Sequence, residues 1–271
     1  MTDNPVQVMG VVNLTPDSFS DGGLFLELPD ALPHARRLIA EQADMLDLGA
    51  ESTRPGALPV AAEDEIERLI PLIRAVREGS AIPISVDTMK PEVARAAVAA
   101  GADIWNDVSA LRHAPEAPDV AAELGCQVVL MHMQGEPRTM QDAPHYDDVV
   151  AEVTGFLAAR AEAALAAGVA REKIWLDPGI GFGKRLEHNL ALLAHLDRVV
   201  ALGFPVLLGV SRKRFIAALD PAAAETGDRL AGSLAAALAG AAAGVAAVRV
   251  HDVAATVQAL RVWRAIAAAG G

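Results

Sequence analysis

The feature that most constrains this chain is an eightfold alternation of short apolar runs with longer helix-patterned stretches. The runs occupy residues 6–12, 45–48, 82–86, 103–106, 127–131, 174–177, 205–210 and 246–250. They are nearly continuous in hydrophobicity, as parallel strands covered on both faces must be. Helical patterns separate or follow them at residues 30–43, 62–77, 91–100, 116–124, 147–167, 187–196, 228–243 and 253–268. Pro91 opens the third helix, where a missing N–H costs nothing. Eight strand–helix units predict an α/β fold, a closed (β/α)8 barrel of the TIM type, with residues 1–271 as a single domain. That length is near the roughly 250 residues of one such barrel. An open doubly wound sheet is the alternative, but it usually has fewer units and a phosphate loop after its first strand. No linker, composition break or repeat of fixed period divides the chain.

One stretch needs a decision before a globular barrel is accepted. Residues 230–248 carry no charge and are long enough for a membrane span, with Gly240 and Gly244 at the spacing of membrane helix dimers. Most of these residues are alanine and glycine, which partition weakly into lipid. A helix lying close against a sheet is the better reading, with Gly244 ending it and a strand beginning at Ala246. The net charge of −12 makes nucleic acid or an anionic membrane an unsuitable partner. The single cysteine, Cys126, excludes an intrachain disulfide and reads as a buried thiol. Residues 1–8 have no basic stretch and no long apolar run, so a cytoplasmic setting is expected.

In a parallel barrel the active site lies at the C-terminal ends of the strands, and the polar residues gather there. Asn13, Asp47, Asp87, Asn106 with Asp107, Met131 with His132, Asp177, Ser211 to Arg214, and Arg249 with His251 each stand at or just beyond an apolar run. A lone Asp, Asn or Ser at such a point can be a helix cap. Eight together on one face are poorly explained by capping. Asp87, Asn106 and Asp177 offer acceptors suited to a heterocycle with several N–H donors, such as an aminopyrimidinone. Arg54, Lys213, Arg249 and His251 offer cations or donors suited to phosphate or carboxylate. Residues 13–23 and 49–56 are long loops at this face, rich in Gly, Ser, Thr and Pro, and read as lids.

Several motifs fail on inspection. The run from Gly179 to Lys184 would need glycine at Pro178 and Ser or Thr at Arg185 to be a Walker loop, and glycine at Lys184 to be a dinucleotide fingerprint. It reads instead as a turn permitting close backbone approach to a ligand. The histidines show no metal spacing; His34, His113, His188 and His195 are expected on the surface. No Ser–His–Asp set can be assigned.

The segments from Asn13 to Gly23 (NLTPDSFSDGG) and from Gly49 to Gly56 (GAESTRPG) resemble the paired signature of the dihydropteroate synthase family. The likeness continues in order through Ser85 to Thr88, Asn106 to Ser109, Leu130 to Gly135, Asp177 to Lys184, Ser211 to Lys213, and Arg249 to His251. It implies an enzyme of folate synthesis that joins a hydroxymethyl-dihydropterin diphosphate to p-aminobenzoate, releasing diphosphate. It also implies residue roles. Asp87, Asn106 and Asp177 hold the pterin ring, Lys213 meets its carbonyl side, and Arg249 covers a face. Met131, Gly181 and Phe182 line the pterin pocket. Asn13 helps place Mg2+ with the diphosphate, and Arg249 with His251 forms an anion site. Thr53 and Arg54 engage diphosphate or aminobenzoate, and Phe19, Asp21 and Pro55 close the aminobenzoate site. Catalysis falls to Asp21, Arg54, Lys213, Arg249 and His251. They would stabilise the pterin cation and leaving diphosphate formed by early C–O cleavage.

The family implies sulfonamide inhibitors and a homodimer as well. One departure is Arg214, where the family often has a serine beside the aminobenzoate carboxylate. Three rival readings remain at this stage: a methyltransferase-type pterin barrel, a pterin-binding paralogue without catalysis, and a sugar-phosphate barrel. The first should lack the two lids. The intact basic set argues against the second, and three acceptors together would repel the ligand oxygens of the third.

Overall fold

The computed structural model describes residues 5–14, 28–52 and 57–269. Its strands are β1 (Gln7–Asn13), β2 (Met45–Gly49), β3 (Ile84–Asp87), β4 (Ile104–Asp107), β5 (Gln127–Met131), β6 (Ile174–Asp177), β7 (Leu207–Gly209) and β8 (Ala247–Val250). The helices among the described residues are α1 (Leu28–Ala40), α2 (Ala62–Arg77), α3 (Pro91–Ala100), α4 (Ala117–Leu124), α5 (Val149–Ala166), α6 (Leu186–Ala194), α7 (Leu196–Val200), α8 (Arg214–Leu219), α9 (Leu230–Ala243) and α10 (Val253–Ala269). All strand pairings are parallel, in the order β6-β5-β4-β3-β2-β1-β8-β7. A parallel bridge between Leu176 and Val206 joins the two ends and closes the ring. The expected (β/α)8 barrel is the fold.

Strand alternation divides the apolar residues into two shells. Val8, Val12, Leu46, Leu48, Ile84, Val86, Leu130, Leu176, Leu208 and Val248 belong to the large cluster that packs outward under the helices. Met9, Met45, Ile104, Val129, Leu207 and Ala247, with Trp175 against them, form a separate cluster that plugs the barrel interior. Two residues further along these strands, the same inward parity falls on Val11, Asp47, Asn106, Met131, Asp177, Gly209 and Arg249. The interior therefore changes from an apolar plug to a layer that carries four polar side chains, Asp47, Asn106, Asp177 and Arg249, within one side-chain step.

The element boundaries shift for local reasons. The strand expected at 205–210 is reduced to Leu207–Gly209, because Pro205 has no N–H for the ladder; its carbonyl still accepts from Leu176 N at 2.9 Å. The helix expected at 187–196 is two helices, broken at His195, where φ is −123° and ψ is 33°. The break lets Leu192, Leu196 and Val199 all be fully buried. Residues 230–248 are the globular helix and strand expected of them. A Cβ on Gly240 would lie 2.4 Å from Leu208 Cδ2, and one on Gly232 2.5 Å from Ile216 Cγ2, so small residues let α9 seat closely. No helix among the described residues is long and apolar enough to cross a membrane. Cys126 is buried, and burial raises its thiol pKa.

Candidate active site at the C-terminal mouth of the barrel

A cleft of about 410 Å3 opens where the strands end, lined by residues including Asn13, Asp87, Gly181, Phe182, Lys213, Arg249 and His251. Two inward glycines make room for it. A Cβ on Gly49 would stand 3.6 Å from the Asp87 Cβ and 3.8 Å from Asn13 Oδ1, and one on Gly209 would stand 4.0 Å from Asp177 Oδ2. Side chains at these two positions would occupy the space between the polar groups.

The acceptors come from β3, β4 and β6. Asp87 ends β3, Asn106 lies on β4 and Asp177 ends β6. Asn106 is 4 % exposed and Asp177 5 %. One Asp177 oxygen accepts from Gly179 N at 2.7 Å. Burial raises its pKa to about 6, although the Gly179 N–H and the charges of Lys213 and Arg249 oppose the rise. Burial raises Asp87 too, with Asp47 adding to the rise and Arg249 opposing it. Met131 is buried with Val108, Met133 and Met140, and Phe182 packs against this group.

The cations face them from β7 and β8. Lys213 stands at the start of α8, with Nζ 4.2 Å from the centre of the Phe182 ring. Burial and the nearby Arg249 lower its pKa to about 8. Arg249 reaches across the barrel. Its Nε donates to Asp47 Oδ2 at 2.6 Å and its Nη2 to Asp87 Oδ2 at 3.0 Å. Burial disfavours its charge, but Asp47 and Asp87 outweigh that and raise its pKa. His251 differs from a cationic anion ligand. Burial, then Arg249 and Arg212, lower its pKa to about 3, so at neutral pH the ring is uncharged. Its Nδ1 lies 3.0 Å from Ser211 Oγ. If that hydroxyl donates to Nδ1, the ring proton sits on Nε2. In that tautomer Nε2 is the donor of an uncharged ring.

The turn from Gly179 to Lys184 has a more specific basis than close approach to a ligand. A Cβ on Gly179 would fall 1.9 Å from His132 O, and one on Gly183 2.4 Å from Gln134 O, both at positive φ. The close approach is to the chain's own backbone after β5. Lys184, 3 % exposed, holds the turn by donating to Gly179 O (2.8 Å) and Phe182 O (3.0 Å), with Nζ 2.9 Å from His132 Nδ1. The Gly181 amide donates to Asn189 Oδ1 at 2.7 Å, and its carbonyl accepts from Gln141 at 2.6 Å. The turn is a rigid wall of the cleft.

The structure therefore gathers Asn13, Asp87, Asn106, Met131, Asp177, Gly181, Phe182, Lys213, Arg249 and His251 at one end of the barrel. Phe19, Asp21, Thr53, Arg54 and Pro55 lie outside the described residues. His113 and His195 are exposed as expected, whereas His34 and His188 are half-buried. His34 has its Nε2 3.3 Å from Val11 O, and His188 Nδ1 accepts from Arg185 N at 3.2 Å. Arg214 is exposed on the first turn of α8 and borders the cleft.

Sequence reasoning about ligand contacts overlooked Asp47, which is fully buried and meets both Arg249 and Asn106. Its signal was a charge between Leu46 and Leu48 in a strand, on the inward parity of Met45. It also overlooked Glu51, which borders the cleft and pairs with Lys90 Nζ at 2.6 Å; that same amine also bonds to the buried Glu65.

Residues 9–251 match the family of pterin binding enzymes. A dihydropteroate synthase of Escherichia coli is 48 % identical over 255 residues, covering 94 % of this chain and 89 % of the relative. A Yersinia pestis dihydropteroate synthase, solved in a sulfonamide drug complex, superposes with a TM-score of 0.93 at 42 % identity, covering 97 % of this chain and 95 % of that one. A Xanthomonas albilineans dihydropteroate synthase in complex with 7,8-dihydropteroate gives a TM-score of 0.85 at 49 % identity, with 98 % and 94 % of the two chains covered.

Proposed function

The chain belongs to the pterin binding enzyme family, and from that premise we propose that it is a transferase making 7,8-dihydropteroate and diphosphate from 6-hydroxymethyl-7,8-dihydropterin diphosphate and p-aminobenzoate. The observation that carries this reading is the meeting of three acceptors, Asn106 and Asp177 buried and Asp87 on the cleft wall, with the cations Lys213 and Arg249 of that wall at one end of the barrel. Asp87, Asn106 and Asp177 offer oxygens to the amine and ring N–H groups of a pterin. Lys213 and Arg249 stand beside them to meet ring carbonyl and phosphate oxygens. A ring with oxygens in place of its donors would face the two carboxylates unfavourably.

The chemistry needed is substitution at the methylene carbon. The C–O bond to diphosphate breaks, the aromatic amine forms the C–N bond, and the amine gives up a proton. In a low-dielectric mouth, fixed positive charge favours departure of the diphosphate most strongly as its negative charge develops. Lys213 supplies such a charge at neutral pH. His251, being neutral, supplies a hydrogen bond.

Magnesium fits as a substrate-bridging ion. Among the described residues no group of three or more His, Cys, Asp or Glu side chains can hold a metal. Asn13 places one amide at the end of β1, beside the cleft. Mg2+ commonly keeps waters and phosphate oxygens as its other ligands, so Asn13 and the diphosphate would hold it. Bound there, it would neutralise charge on the leaving group. The reading extends to a cytoplasmic homodimer inhibited by sulfonamides, as the sulfonamide complex of the Yersinia relative suggests for the last point. Titration of a sulfonamide in the presence of diphosphate and Mg2+ tests the aminobenzoate half of the site. Displacement by p-aminobenzoate supports it; binding that excess p-aminobenzoate leaves unchanged contradicts it.

A further inference from the structure

We propose that Asp47 is a positioning residue of the pterin site, fixing the Arg249 guanidinium and turning the Asn106 amide so that its oxygen faces the ligand. The inference rests on the pterin-binding reading above. Asp47 lies in the middle of β2, fully buried, with Leu46 and Leu48 on the outward face. Both of its oxygens are turned to protein groups, Oδ2 to Arg249 and both to Asn106, so it acts on the ligand through these neighbours.

The first neighbour is Arg249. Asp47 Oδ2 takes the Nε proton at 2.6 Å while Asp87 Oδ2 takes an Nη2 proton at 3.0 Å. A planar guanidinium held at two points by carboxylates on different strands has its plane fixed. Asp47 also shares the charge of Arg249. Without it Asp87 would be the one carboxylate among the described residues hydrogen-bonded to the guanidinium, and the group that should accept from a pterin would be committed to the arginine.

The second neighbour is Asn106. Its Nδ2 lies 3.4 Å from both Asp47 oxygens. An ionised carboxylate only accepts, whereas an amide donates at one end and accepts at the other. With the NH2 end turned to Asp47, the Asn106 oxygen is the end left for a ligand N–H. Flipping the amide would set oxygen against carboxylate and present a donor to the ligand's donor. One buried carboxylate thus selects both the plane of a cation and the polarity of an amide, so that two weak choices become one rigid pattern.

Asp47→Asn, measured in the full chain with 6-hydroxymethylpterin, tests this. The dissociation constant should rise by about tenfold or more, the scale of one charge-assisted hydrogen bond, with kcat at saturating substrates reduced far less. The same substitution in an Asn106→Ser background should have a clearly smaller effect, because part of its route to the ligand is gone. Equal fold-losses in both backgrounds would overturn the role through Asn106, and unchanged affinity of a folded Asp47→Asn variant would overturn the proposal altogether. Neutron diffraction of the unsubstituted pterin-bound chain decides the matter even if the variants do not fold. Asn106 deuterons directed at Asp47 are expected, and deuterons directed at the pterin contradict it. Failure of the unsubstituted chain to bind pterin would refute the family reading instead.

Discussion

Replacing Asp177 by asparagine should abolish most pterin affinity while leaving the fold at least as stable. One carboxylate oxygen already accepts from Gly179 N at 2.7 Å. The asparagine oxygen can keep that bond, which places its NH2 toward the ligand's N–H donors. A hydrogen bond to a charged group is worth about 1.5–3 kcal/mol, so the dissociation constant should rise by about ten- to a hundredfold. The folded protein pays for this carboxylate. Burial raises its pKa from 3.8 to about 6, so between those values the folded state binds more protons than the unfolded chain. Stability therefore falls as pH rises through that window, and the deficit is complete above about 6. The gap corresponds to about 3 kcal/mol at pH 7. Asparagine carries no such penalty. Urea denaturation at pH 7 should show Asp177→Asn equal to the parent or more stable by up to about that amount, and the difference should vanish near pH 3, where the parent is protonated in both states. Calorimetric titration with 6-hydroxymethylpterin reads the affinity. Unchanged affinity in a folded variant would remove Asp177 from the pterin site, and a marked loss of stability at pH 7 would refute the electrostatic argument.

The pH profile of kcat/KM for the pterin substrate should be bell-shaped. The acid limb follows protonation of Asp87 as pH falls through about 7 and of Asp177 through about 6, and the alkaline limb follows loss of the Lys213 charge as pH rises through about 8. A profile flat across both limbs would contradict these roles. Chelation of Mg2+ should stop turnover with little change in melting temperature, since Asn13 supplies at most one ligand; a large thermal shift would mark a structural metal. Lys184→Met takes a buried donor from the Gly179 and Phe182 carbonyls but also removes an amine whose burial lowers its pKa to about 7. Its stability loss in urea should therefore be small near pH 7 and grow to about 2–5 kcal/mol near pH 10, where the parent no longer bears the cost of a buried charge. Parent-like stability at the higher pH would show that the turn after β6 is held by other contacts.

Much of the barrel was legible because its signals are local. Nearly continuous apolar runs and turn residues marked each strand, and the parity that puts Met45 in the plug also places Asp47 and Gly49 above it. The site was legible at Asp87, Asn106 and Asp177 because each interrupts an apolar run at its end. Asp47 was named among the polar residues but given no role, since its function depends on Arg249 from β8, 202 residues away in sequence. The neutral state of His251 was illegible for the same reason: it depends on burial and on Arg249 and Arg212, which only the closed barrel brings together. The glycines at 179 and 183 signalled close approach, but not that the approaching group was the backbone after β5. The roles given to Phe19, Asp21, Thr53 and Pro55 rest on family resemblance, and that of Arg54 on its charge in a loop at the site's face as well.

The central claim is that one cleft binds a pterin diphosphate and transfers its pterin-methyl group to an aromatic amine. The most direct measurement is a turnover assay with 6-hydroxymethyl-7,8-dihydropterin diphosphate, p-aminobenzoate and Mg2+, following both products by chromatography. Dihydropteroate and diphosphate should appear in equal amounts, and dihydropteroate should not form when either substrate is withheld. Tight pterin binding with no dihydropteroate formed would contradict the account and leave a binding protein in place of a transferase.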